Sequence, residues 1–210
     1  MEGLRIIDMS EDEKPSDFEN IGLILIKNIR EANIESAIKI AKSAESSRTV
    51  TAGILSGNIN PLNRNMKKFL DHADAVILLS GANNEYSARI ITDTISDLIT
   101  KAGFVNLDIE DVQEILRNAG TVYYGAGTAK SSGAAALKAC DMCGNISGAK
   151  RFLTNVTAGP KIMLGELKDV ANVIAMNADP NAQIIWGHVI DDDMRGNMRV
   201  SIFATMNDKG

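Results

Sequence analysis

Three polar residues near the middle of the chain have types and spacing suited to directing a water molecule: Asn106, Asp108 and Asp111. Two carboxylates three residues apart at a helix start project from one face. With an amide beside them they can orient water for attack on a phosphate, work that is positioning more than covalent chemistry. The same spacing also makes a helix cap. Asp108 has an N-cap side chain, and Asp111 stands where a capping box has its acidic member. Acids in a first turn are further favoured by the helix dipole. Spacing alone favours the cap, because capping signatures occur in most helical proteins.

Other chemistry-bearing residues carry less. Lys27 and Arg30 follow an apolar run and read as an anion pair or, more simply, as surface charge. A phosphate site there needs a glycine-rich turn, so that backbone N–H groups can approach the anion. The turn from Lys27 to Asn33 has no glycine and carries β-branched Ile29, and the next such turn has only Gly57. Asn83 and Asn84 precede a helix and read as turn or cap residues. Lys130-Ser131-Ser132 follows Gly125-Ala126-Gly127, which reads as a turn, but Ala129 stands where a P-loop requires glycine. Cys140-x-x-Cys143 has no second cysteine pair and only His72 and His188 to complete a zinc site, so half-buried thiols at a helix end are the better reading. Asp191-Asp192-Asp193 reads as an acidic turn between strands, since consecutive carboxylates rarely converge on one ion. No metal site is assigned.

The elements that must hold these residues show in the hydrophobic pattern. Ala88, Ile91, Ile95, Leu98 and Ile99 mark one face of a long helix that Gly103 ends. Ile109, Val112, Ile115 and Leu116 mark a second helix, with the acidic loop between the two. Before them, strands at Leu4–Ile7, Ile21–Ile26, Val50–Leu55 and Ala75–Leu79 alternate with helical stripes. Ile21–Ile26, IGLILI, is apolar without alternation, as a strand buried on both faces is. This βαβαβ order predicts a parallel sheet with helices on its faces. Ligands of such sheets sit at the carboxyl ends of the strands. After the acidic loop, strands at Thr121–Tyr124, Arg151–Val156, Gln183–Ile190 and Arg199–Ala204 and helices at Gly133–Met142 and Leu164–Ile174 predict a second α/β unit. The expected fold is therefore α/β. A small parallel-sheet N-terminal domain of degenerate Rossmann-like type (1–84) is followed by a long central helix (85–103) and a two-layer α/β sandwich C-terminal domain (104–210).

Bulk composition excludes some function classes. A net charge of −5 gives no electrostatic reason to bind nucleic acid or an anionic membrane. No apolar run approaches the ~20 residues needed to span a bilayer, and Glu2 and Asp8 break any signal-peptide pattern. Two cysteines do not suggest a secreted disulfide scaffold, so the cytoplasm is the expected compartment. Aromatics are only 4% of the chain, so Ile, Leu, Val and Ala must fill the core.

From Thr100 to Thr205 the sequence resembles the FtsZ branch of the tubulin superfamily. Asn106, Asp108 and Asp111, after Ala102-Gly103-Phe104-Val105, match that family's N-x-D-x-x-D loop. Tyr123-Tyr124-Gly125-Ala126-Gly127 is similar to its M-M-G-S-G-like turn. Gly148-Ala149, Leu153, Asn155 and Thr157-Ala158-Gly159 match G-A-x-x-x-L-x-N-x-T-A-G. Asp191, Asp193 and Met194 match D-x-D-M, and Arg199-Val200, Ala204 and Thr205 match R-V-x-V-x-A-T. These motifs cover about half the chain in the family's order.

The resemblance implies head-to-tail stacking, in which the acidic loop of one subunit completes the GTP site of the next. Asp108 and Asp111 would then act in trans, with Asn106 beside them. It implies GTP as the ligand, with Mg2+ only alongside GTP. The family's guanine-contacting Asn falls, by counting, at Glu85 with Asn84 adjacent. Its G-G-G-T-G-T-G phosphate loop should follow IGLILI, where Asn28-Ile29-Arg30-Glu31-Ala32-Asn33 stands instead. About twenty residues precede IGLILI, too few for the earlier glycine-rich loop, and the family's tail is not seen before Gly210. The expectation is a divergent FtsZ-like assembly protein, not a GTPase on its own, whose partner is a second copy or an FtsZ subunit, without nucleic acid and without a membrane contact of its own. The alternatives are a minimal GTP-binding GTPase that self-assembles, and a non-catalytic relic of the fold with another partner.

Overall fold

The computed structural model describes residues 3–10, 18, 20–56, 60, 63–79 and 85–206. Strands β1 (Gly3–Asp8), β2 (Ile21–Ile29), β3 (Val50–Leu55) and β4 (Ala75–Leu79) pair in parallel, with α1 (Ile34–Glu45) and α2 (Arg64–Leu70) between them in sequence. Helices α3 (Glu85–Thr100) and α4 (Ile109–Leu116) follow. Then come β5 (Gly120–Ala129), α5 (Ser132–Cys143), β6 (Arg151–Ala158), α6 (Leu164–Asn177), β7 (Gln183–Ile190), a 3-10 turn at Asp192–Met194, and β8 (Met198–Thr205).

All eight strands belong to one sheet, in the order β1-β2-β3-β4-β5-β8-β6-β7. β8 runs antiparallel between β5 and β6, and every other pairing is parallel. β5 is where the two halves join: Ala75–Leu79 pairs with its first residues, and Val122–Ala129 pairs with β8.

Burial follows from that sheet. One face packs on α3 and α4, whose Ala88, Ile91, Ile95, Leu98, Val112 and Ile115 meet strand residues from Leu4 in β1 to Phe203 in β8. The opposite face is covered in two patches, by α1 and α2 over β2 to β4 and by α5 and α6 over β5, β6 and β8. IGLILI divides accordingly: Leu23 and Leu25 enter the first core, Ile24 and Ile26 the second. Each such fully buried aliphatic side chain stabilises the fold by ~1.5–3 kcal/mol over an exposed one. α3 therefore packs on strands of both halves. Among the described residues no helix is long and apolar enough to cross a membrane.

Two local expectations change. Gly125-Ala126-Gly127 is not a turn but the middle of β5. α5 lies so close that a Cβ at Gly125 would sit 2.2 Å from the Ala139 carbonyl oxygen, and one at Gly127 2.2 Å from that of Ala135. The glycines serve helix-on-strand contact, which sequence spacing cannot distinguish from a turn. The stretch after IGLILI also continues as strand through Ile29. Asn28 takes a left-handed φ of 62° there, and the pairing to β3 slips between Ile26 and Ile29.

Candidate functional site

The acidic loop starts where α3 ends at Thr100 and runs to the first turn of α4. Its entry is bound to the edge of β7. Ile190 N–H donates to the Ala102 carbonyl at 3.2 Å, and His188 N–H to the Val105 carbonyl at 2.9 Å. Gly103 lies so close to β7 that a Cβ would fall 1.6 Å from the His188 carbonyl oxygen. The Gly103 N–H donates to Asn106 Oδ1 at 2.8 Å, so Asn106 shapes the loop from within. Phe104 stacks on the His188 ring, with centroids 5.3 Å apart and planes 17° apart, and its N–H donates to His188 Nδ1 at 3.3 Å. Leu107 is buried against Gly187, where a Cβ would come within 2.9 Å of both Leu107 and Leu98.

Beyond Leu107 the capping box forms. The Asp111 N–H donates to Asp108 Oδ1 at 3.0 Å, and the Asp108 N–H to Asp111 Oδ2 at 2.9 Å. Each carboxylate thus uses one oxygen on the backbone. Asn106 and Asp108 are exposed and Asp111 is half-buried. Among the described residues, the second oxygen of each carboxylate and the Asn106 amide nitrogen have no partner and are open to water or a ligand. Cap and water-orienting group are compatible here, because a bidentate acceptor serves one without losing the other.

The other candidate region lies at the carboxyl ends of β1, β2 and β3, where a parallel sheet takes its ligand. Asp8 at the end of β1 accepts from Ser10 N–H at 3.0 Å and Asn28 Nδ2 at 2.8 Å, and pairs with Lys27 at 2.9 Å. Burial opposes its charge, but the hydrogen bonds from Ser10, Lys27 and Asn28 outweigh it and hold the carboxyl well below the usual range. Ser56 Oγ donates to Asn28 Oδ1 at 3.0 Å. Asn33 closes the turn, accepting from Arg30 N–H at 2.7 Å and donating to the carbonyls of Met9 at 3.1 Å and Asn28 at 3.0 Å. Arg30 pairs with Glu85 in the first turn of α3. Lys27 and Arg30 are therefore engaged by Asp8 and Glu85. Glu85 is a carboxylate in the position that the resemblance gives to a base-contacting amide. Asn84 and Gly57 lie outside the described residues.

The remaining candidates resolve into structure. Cys140 and Cys143 are buried free thiols; burial, with Asp141 nearby, pushes Cys140 up to about 11, and burial, with Cys140 nearby, pushes Cys143 up to about 12. Such thiols stay protonated at neutral pH and are poor nucleophiles. Asp191 Oδ1 accepts from Asp193 N–H at 2.9 Å and starts the 3-10 turn. Among the described residues no group of His, Cys, Asp and Glu can hold a metal ion.

Gly187, His188 and Phe104 were absent from the sequence-derived site. Nothing in their local sequence marks them, since His188 lies 84 residues from Phe104.

Known proteins place this architecture. Residues 119–208 match the FtsZ family, C-terminal domain. Cell division protein FtsZ 1 of Archaeoglobus fulgidus is 38% identical over 117 residues, which are 53% of this chain and 32% of that protein. The mitochondrial division protein fszA of Dictyostelium discoideum is 34% identical over 122 residues, 55% of this chain and 23% of that protein. The matched stretch is thus well under half of each relative's length. The fold reaches further than the sequence match. An empty FtsZ dimer structure from M. jannaschii superposes with a TM-score of 0.73 at 21% identity, covering 92% of this chain and 68% of that one. CetZ1 from Haloferax volcanii, a GDP-bound monomer, gives 0.68 at 13% identity, covering 88% and 64%. The sequence match thus lies in the C-terminal half, where residues 119–208 are similar to the FtsZ C-terminal domain, and the likeness in fold to FtsZ and CetZ structures spans nearly the whole chain.

Proposed function

We propose that the chain is an FtsZ-like assembly protein that presents Asn106, Asp108 and Asp111 to nucleotide held by a neighbouring subunit, and does not hydrolyse GTP alone. One observation carries this reading: the loop is fixed on three sides while, among the described residues, its outer carboxylate oxygens stay free. A water-orienting group needs that combination, because a misplacement of about 1 Å can cost on the order of 10²-fold in rate. The neighbour is a second copy or an FtsZ subunit, a reading supported by the likeness in fold to the M. jannaschii FtsZ dimer.

The carboxyl ends of β1 to β3 support the second clause. Asp8 keeps a negative charge where a triphosphate would bring several more, and Lys27 and Arg30 already have acidic partners. Like charges brought together at low dielectric oppose binding. GTP, with Mg2+ only in its company, would then be the neighbour's ligand.

The test is a nucleotide titration followed by a mixing experiment. Labelled GTP should not bind the purified chain at millimolar concentration. The chain should change GTP turnover when added to an FtsZ that holds nucleotide. Micromolar binding and turnover by the chain alone would reject the proposal in favour of a self-sufficient GTPase. No effect on any subunit's turnover would leave a non-catalytic member of the fold.

A further inference from the structure

We infer that His188 is a positioning residue for the acidic loop, working as a neutral hydrogen-bond acceptor under Phe104. The inference rests on the reading of the loop given above.

His188 is 1% exposed. Its Nδ1 faces the Phe104 N–H at 3.3 Å, so the acceptor lone pair is on Nδ1 and the ring proton on Nε2. Nε2 is buried with no hydrogen-bond partner among the described residues. A buried N–H without a partner is unfavourable, and an aliphatic side chain would fill the same space without that cost. What the imidazole offers and an aliphatic group does not is the Nδ1 acceptor and a flat face. Both are used on one residue: the Nδ1 holds the Phe104 N–H, and the face stacks on the Phe104 ring.

The surrounding contacts explain why this matters. Phe104 is 63% exposed, so little else restrains it. Its neighbours in the chain are already tied: Gly103 is pressed on the His188 carbonyl, and the Val105 carbonyl accepts from the His188 N–H. His188 thus meets three successive loop residues with its ring, its N–H and its carbonyl. Asn106 follows at once, and its Oδ1 reaches back to Gly103. A shift at Phe104 is therefore passed to Asn106 through one short turn, and from there through Leu107 to the cap at Asp108. The residue touches no nucleotide and acts only through the loop.

The experiment compares His188→Leu, which fills the space without an acceptor, with His188→Asn, which places an amide oxygen close to the Nδ1 position. Two quantities are read: hydrogen exchange at the Phe104 amide in the purified chain, and GTP turnover in a mixture with a nucleotide-holding FtsZ. In His188→Leu the Phe104 amide should exchange ~10-fold faster or more. Maximal turnover should fall ~10-fold or more, with the half-effect concentration of the chain unchanged. His188→Asn should recover most of both. If His188→Leu does not fold, Phe104→Ala, which loses the stack but keeps the backbone bond, takes its place, with a smaller fall in turnover expected. In His188→Leu, exchange and turnover equal to wild type, or no recovery of them in His188→Asn, would overturn the inference; in Phe104→Ala, turnover equal to wild type would do so. Should the wild-type chain leave turnover unchanged, the reading of the loop fails, and exchange at Phe104 alone decides whether His188 holds it.

Discussion

The two ends of this molecule that could meet nucleotide are built in opposite ways. At the acidic loop, backbone and ring contacts come from β7, and the carboxylates keep an oxygen each for the outside. At the carboxyl ends of β1 to β3, polar side chains turn inward on one another: Asp8 to Lys27 and Asn28, Asn28 to Ser56, Asn33 to the backbone around it. The first region is organised to present charge, and the second to satisfy its own. A site that acts on a ligand needs unspent valence, whereas a closed network adds rigidity and little else. The difference favours a chain that contributes to a neighbour's chemistry over one that grips triphosphate.

The comparison breaks most sharply at the carboxylates. Asp108→Asn and Asp111→Asn keep the size of each side chain, and Asn remains a good N-cap. Turnover in a mixture with nucleotide-holding FtsZ should fall on the order of 10²-fold in each, with nearly unchanged thermal stability. Full activity in both variants would show that the loop only caps a helix.

Gly103→Ala tests whether the loop's seat is as tight as its geometry indicates. The added methyl has no room against the His188 carbonyl, and urea unfolding should show a loss of about 1–3 kcal/mol. Asn28→Ala probes the opposite region. It removes the bonds to Asp8 and Ser56 and puts alanine at a left-handed φ, so a loss of ~1–2 kcal/mol is expected. That variant should leave mixed turnover unchanged, whereas Gly103→Ala should lower it.

Acid separates the regions by a smaller effect. Burial holds His188 below its ordinary 6.5. The unfolded chain therefore binds the proton first, and the folded state loses stability as pH falls below about 6.5 and on through the folded value. Asp8 is likewise held below its ordinary 3.8, so its contribution is present at neutral pH and fades only under stronger acid. Denaturant midpoints measured from pH 8 to pH 3 should fall first through His188, and His188→Asn should flatten that first step.

Much of the fold was legible beforehand. β3 and β4 occupy the stretches that the apolar runs marked, because a buried strand leaves a compositional trace that no turn shares. The cap at Asp108 and Asp111 was legible for a similar reason: its partners lie three residues apart. The glycines of β5 misled, because close packing by a helix and a tight turn call for the same missing side chain.

Local pattern alone therefore determined the α/β order, the long helix and the acidic loop with its cap, all of which depend on contacts between near neighbours in sequence. Only the tertiary structure decided that β5 joins the two halves into one sheet, that Lys27 and Arg30 are engaged by Asp8 and Glu85, and that Gly187 and His188 seat the loop. Those contacts join residues from 19 positions apart, as for Asp8 and Lys27, to 84 apart, as for Phe104 and His188. Pairings of that separation are set by the packing of whole elements, and no periodicity along the chain encodes them.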